Sequence, residues 1–171
     1  MKSGVRVTRD HLGKVSDGIR QLAKRQAMVG VPGDNANRQA GEPITNAQLA
    51  YIHTFGAPEV NIPPRPFLQP GIAKAKPQIM AELRGAADAA IEGDATGVEI
   101  GLARAGQRAA TAAQTEIRNG LQPPLSPATI ANRAQRSAGS DYRRKATEAD
   151  AKPLWDTGQL LRAITYVVRS R

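Results

Sequence analysis

The residues best suited to metal or proton chemistry in this chain are its two histidines, His11 and His53. Neither belongs to an HExxH pattern or to a His/Cys cluster with metal-ligand spacing, so no metal site is expected. Cysteine is absent, which removes thiol nucleophiles, disulfides and thiolate ligands together. No serine lies in a GxSxG turn, and Ser126, just before Pro127, has a sufficient role as a helix cap. Glu82, Asp88, Glu92, Asp94 and Glu99 are spread along helical stretches as solvated faces rather than as a paired acid and base. Gly30, Gly33 and Gly41 form neither GxGxxG nor a phosphate-cradling loop closed by a lysine. No catalytic residue and no cofactor is expected, and the function is sought outside catalysis.

A net charge of +9 directs attention to acidic partners, because clustered Lys and Arg gain affinity for nucleic acid by releasing phosphate counterions. The basic residues are scattered apart from Arg133, Arg136, Arg143, Arg144 and Lys145. This group is either a solvated, partner-binding loop or a candidate DNA contact. No helix-turn-helix, zinc finger or aromatic stacking platform accompanies it.

The elements that must position any site follow from periodicity. Leu12, Val15, Ile19 and Leu22 fall on one face of a helix over about Arg9 to Arg25, and Ala27 to Pro32 reads as a short strand closed by proline. Thr45-Asn46-Ala47-Gln48 is a capping box that starts a helix running to Phe55 and stopping at Gly56. Ile62-Pro63-Pro64-Arg65-Pro66 is rigid and extended, since each proline fixes its own φ and restricts the residue before it. Two long helices follow, carried by Ile72, Ile79, Leu83, Ala87 and Ile91 with a soft break at Pro77, and by Val98, Leu102, Ala105, Ala109 and Ala112. Gly120 ends the second, Ser126 caps a short helix with Pro127 in its first turn, and Ile164 to Val168 reads as a strand.

The fold class is therefore α+β, a small mixed or antiparallel sheet packed with several helices, in a single domain over residues 1–171 with flexible loops at 33–43 and 137–152. With two Phe, three Tyr and one Trp, the core must be built from Ala, Leu, Ile and Val. So thin a core favours completion by neighbouring subunits. No apolar run long enough for a signal peptide or a membrane span occurs, so synthesis in the cytoplasm and no membrane contact are expected.

Five segments, in order, resemble the virion-morphogenesis and tail-completion proteins of long-tailed bacteriophages. They are Val29-Gly30-Val31-Pro32, Thr45 to Gly56, Ile62 to Leu68, Pro124 to Ile130, and Leu154 to Leu160. The resemblance spans Met28 to the C-terminus, with one departure: the family often has an acidic residue where Thr54 follows His53. It implies an α+β structural protein of the neck, joining head connector to tail as one copy in a homo-oligomeric ring. The implied neighbours are head-connector and tail-tube or tail-terminator proteins, and the implied place is the virion. The alternative is a basic DNA-binding packaging or assembly factor.

Residues expected at a subunit interface are Phe55, Gly56, Pro63, Pro64, Arg65, Pro66, Phe67, Trp155, Asp156 and Gly158. Arg65 offers a planar fork of donors on a stiff strand, and Phe67 an apolar anchor beside it. Against this, Phe55, Phe67 and Trp155 could be core aromatics, Arg65 could pair locally, and Asp156-Thr157-Gly158 could simply cap the helix that carries Leu160 and Leu161.

Overall fold

The structure is a computed structural model that describes residues 12–33, 43–138 and 151–171. His11, the start of the first helix at Arg9, most of the loop at 33–43, and Arg143, Arg144 and Lys145 lie outside the described residues.

Helix α1 (Leu12–Lys24) runs directly into strand β1 (Arg25–Gly30), which pairs antiparallel with β2 (Thr165–Ser170) at the other end of the chain. The register places Met28 opposite Val167 and Gly30 opposite Thr165, and the Arg171 amide continues the pairing by donating to the Lys24 carbonyl at 2.7 Å. The sheet has two strands among the described residues, antiparallel as one of the two expected forms. Strand β1 begins two residues earlier than expected. The apolar stripe assigned to α1 also needs correction: Leu12 is 77% and Ile19 51% exposed. The buried line runs instead through Gly18, whose Cα position lies so close to the Ala90 backbone that no Cβ fits, with Leu22 packed beside it against an apolar cluster of Ala90, Val98 and Leu102. A glycine approached by backbone outweighs larger residues on the same helix, because close approach is what a missing Cβ permits.

After α2 (Asn46–Phe55) the chain enters a helical sandwich of α3 (Leu68–Lys74), α4 (Lys76–Glu92) and α5 (Ala95–Asn119). Helices α3 and α4 are separated at Ala75, as Pro77 requires, since its ring cannot donate to the preceding turn. Gly93, in the left-handed region at φ 76°, ends α4, and its amide reaches back to Ala89 and Ala90. Helix α5 is central. It contacts α3 and α4 as well as both strands, and its buried positions are mostly small: Gly101, Ala105, Gly106, Ala109, Ala110 and Ala113.

Along α5 the main core gathers Phe67, Ala110, Ala113, Ile117, Leu121, Leu154, Leu160, Leu161 and Ile164, with Val29, Val31 and Trp155 partly buried against it. Each large aliphatic fully buried there contributes about 1.5–3 kcal/mol, whereas the alanines contribute far less. The core is thus small for its length of helix. Helix α6 (Pro127–Ala138) and the short α7 (Gln159–Ala163) complete the fold, seven α-helices among the described residues. Ser126 caps α6 as expected, its Oγ accepting from the Thr129 amide at 3.2 Å. The Asp156-Thr157-Gly158 segment stands at the start of α7, as one of its two readings expected, with Gly158 at φ 73° as the N-cap and no side-chain cap.

Candidate functional site

The site begins with a helix start. The Thr45 hydroxyl accepts the Gln48 amide at 3.1 Å while the Gln48 side chain accepts the Thr45 amide at 2.8 Å, so the capping box is complete. This fixes the entry of α2 and hence the angle at which Leu49 and His53 face the rest of the chain. At the far end Gly56, at φ 79°, donates to the Ile52 carbonyl and reverses the chain through the 3₁₀ turn Pro58–Val60. Ala57 and Ile62 close the reversal as an antiparallel bridge at 2.8 and 3.0 Å.

The proline-rich strand therefore runs back alongside α2. Within Pro63-Pro64-Arg65-Pro66 only Arg65 has a backbone N–H, and it donates to the His53 carbonyl at 2.6 Å. The Arg65 side chain is 6% exposed and turns inward, donating from Nε to the Pro123 carbonyl at 2.7 Å and from Nη2 to the Pro124 carbonyl at 2.9 Å. One residue thus ties three segments together.

A second arginine enters from α6. Arg133 donates from Nη1 to the Lys152 carbonyl at 3.0 Å and more weakly to that of Trp155 at 3.4 Å, and its Nε lies 3.8 Å from Asp156. Its side chain is 12% exposed. Lys152 in turn donates to the Arg118 carbonyl at 2.6 Å and sits over the Trp155 ring.

Between these elements lies a hollow of about 570 Å³. It is lined by Leu49 and His53 of α2, Asn61, Ile62, Pro63 and Arg65 of the returning strand, Pro123 to Ser126 with Thr129 and Arg133, and Leu154 with Asp156 to Leu160. His53 is largely buried here, and its Nδ1 is enclosed without a hydrogen-bond partner. Burial, then the charges of Arg65 and Arg133, lower the His53 pKa from 6.5 to about 4, so the ring is neutral at pH 7. Burial and Arg133 also lower the pKa of Arg65, which nonetheless stays cationic at neutral pH because guanidinium is so weak an acid.

The expected interface residues divide sharply. Arg65 and Phe67, expected to lock adjacent copies, are engaged inside the chain, Arg65 with the proline carbonyls and Phe67 as a 2%-exposed core residue. Trp155 packs partly against that same core. Gly158 is buried at the N-cap of α7, and Asp156 stands half-exposed near Arg133. Gly56 and Pro63 shape the chain reversal and the hollow, while Pro64 and Pro66 face outward. Phe55 alone of the aromatics among these ten is open, 65% exposed, its ring 4.7 Å from that of Tyr51, which is equally open. Of the basic group, Arg133 points to carbonyls of its own chain rather than to solvent, and Arg136 lies in the last turn of α6.

Sequence reasoning missed Tyr51, the Pro123 and Pro124 carbonyls and the enclosure of His53. A signal existed for the carbonyls: Pro123-Pro124 keeps two acceptors but has no N–H to give. Among the described residues no three His, Asp or Glu side chains gather as a metal site would need, and no helix is long and apolar enough to cross a membrane. In comparison with known proteins, no family model, no curated protein and no solved structure matches the chain.

Proposed function

We propose that the chain is a non-enzymatic structural subunit of the neck of a long-tailed bacteriophage, one copy in a homo-oligomeric ring joining head connector to tail. The observation that carries this reading is convergence. Four of the five segments that resemble tail-completion proteins, far apart in sequence, line one hollow around Arg65, and the fifth packs Val29 and Val31 against the adjoining core. Their residues fix a shape through caps, prolines and carbonyl contacts. The exposed Tyr51–Phe55 pair, with Val60 also open on the turn that follows, supplies an apolar contact surface.

The DNA-binding alternative draws on the charge of +9, yet Arg133, the member of the basic group whose side chain is described, is committed to its own backbone. Cryo-electron microscopy of the intact particle tests the neck reading. A ring of this chain between connector and tail tube is the expected result, and a neck fully accounted for by other chains overturns it.

A further inference from the structure

Arg65 is buried in the hollow without a counter-charge among the described residues. It is 6% exposed, yet its side-chain partners are two neutral carbonyls and no carboxylate among the described residues. The groove between α3, α4 and α5 is a useful contrast, because there Lys74 meets Glu116 at 2.6 Å and Arg108 meets Glu82 at 2.7 Å. Burying a guanidinium against neutral acceptors alone satisfies its donors only in part and leaves its charge uncompensated.

Among the described residues, the ionisable groups that line the hollow are His53 from α2, Arg65 from the returning strand, Arg133 from α6, and Asp156 from the segment before α7. Asp156, the one acid among the described lining residues, lies 3.8 Å from Arg133 Nε, and no described carboxylate reaches Arg65. His53 adds an enclosed ring nitrogen that has no partner. The Arg65 guanidinium and an imidazole with an unpartnered nitrogen thus share a cavity of about 570 Å³ with room for a side chain from elsewhere.

We infer that this hollow receives the carboxylate of an acidic side chain from a partner protein, bound by the free donors of Arg65 and by the His53 ring. The apolar walls, Leu49, Ile62 and Leu160, suit the aliphatic stem of a Glu or Asp better than a hydrated phosphate. The chain's overall charge of +9 favours an acidic protein surface, with many side-chain carboxylates, over a lone chain terminus. The inference builds on the reading of the chain as an assembly subunit, but it is measured on the isolated protein. Its failure therefore leaves the ring to be judged by microscopy, and the absence of a ring leaves carboxylate binding intact.

A bound carboxylate favours the protonated imidazole, so binding and proton uptake at His53 are linked. The test is NMR of the full-length protein titrated with acetate at fixed ionic strength, following the His53 ring and the Arg65 Nε–H. Saturable shifts at both are expected, with affinity about tenfold tighter at about pH 5.5 than at about pH 7.5. His53→Gln should abolish that pH dependence while weak binding persists, which a merely structural histidine would not produce. Absence of saturation in the wild-type protein overturns the proposal, as does tighter binding of inorganic phosphate than of acetate. A capped peptide with internal glutamates should compete with acetate; a free C-terminal carboxylate competing in its place would overturn the side-chain assignment.

Discussion

Arg65 Nε donates to the carbonyl of Pro123 at 2.7 Å across a sequence separation of 58 residues. The neighbouring Nη2 does the same to Pro124 at 2.9 Å, so a single guanidinium bridges the strand after α2 and the turn before α6. Both acceptors belong to residues without an N–H, and neither prolyl unit can enter a ladder of its own. The planar fork matches two successive carbonyls as a point charge does not.

Replacing Arg65 should therefore cost stability first. Arg65→Ala removes two charge-assisted hydrogen bonds and leaves a void, a loss of about 2–4 kcal/mol. Arg65→Lys should lose roughly half of that, since it retains the charge but not the fork. Urea denaturation of both variants measures the difference, and equal losses would show that the paired geometry contributes nothing.

His53 should make stability depend on mild acid. Its folded pKa of about 4 lies below the ordinary 6.5, so between these values the unfolded chain binds the extra proton. The contribution is complete above about pH 6.5 and is lost as pH falls toward 4. Its size should be about 2 kcal/mol, less than the full shift implies because a partly exposed ring is screened by solvent. Denaturation midpoints measured across that range should slope for the wild type and flatten for His53→Gln.

Two helical glycines should respond oppositely to the same change. A Cβ at Gly101 would meet the Ala86 side chain at 2.6 Å, whereas one at Gly85 meets nothing within 4 Å. Gly101→Ala is expected to destabilise by about 1–3 kcal/mol through overpacking of α4 on α5. Gly85→Ala, on the exposed side of α4, should stabilise by about 0.5–1 kcal/mol through helix propensity. Thermal melts of the two single variants settle the contrast.

The open aromatic pair should matter to assembly and not to folding. Tyr51→Ser with Phe55→Ser removes two rings that are about two-thirds exposed, so unfolding should change by no more than about 0.5 kcal/mol for each site. Self-association, followed by sedimentation velocity, should weaken at least about tenfold if these rings anchor a neighbour.

Much of the fold was legible because its signals are local. The Thr45–Gln48 box, the stops at Gly56 and Gly120, the break at Pro77 and the Ser126 cap each depend on residues within one turn. The site was less legible, since its geometry depends on partners far apart. That Arg65 meets Pro123, or that Phe67 enters the core with Ile117 and Leu160, cannot be read from spacing. That Asp156, two residues before the Gly158 N-cap of α7, lies 3.8 Å from Arg133 Nε is likewise invisible in spacing. The stripe on α1 failed for a related reason: periodicity counts large apolar residues, while Gly18 earns its burial by backbone contact.

Gly18 belongs to a wider pattern. Gly71 lies against the backbone of Ala112 and Ala113, Gly101 against Ala86, and Gly106 against the Tyr166 ring, each too close for a Cβ. On the glycine side each seam is bare main chain and not an interlocking side chain, which can exchange among Leu, Ile and Val with modest loss. Divergent descendants of this chain could therefore replace most of their apolar residues and keep four bare positions at the same relative spacing. The fingerprint of the fold would be the places where nothing is permitted to grow.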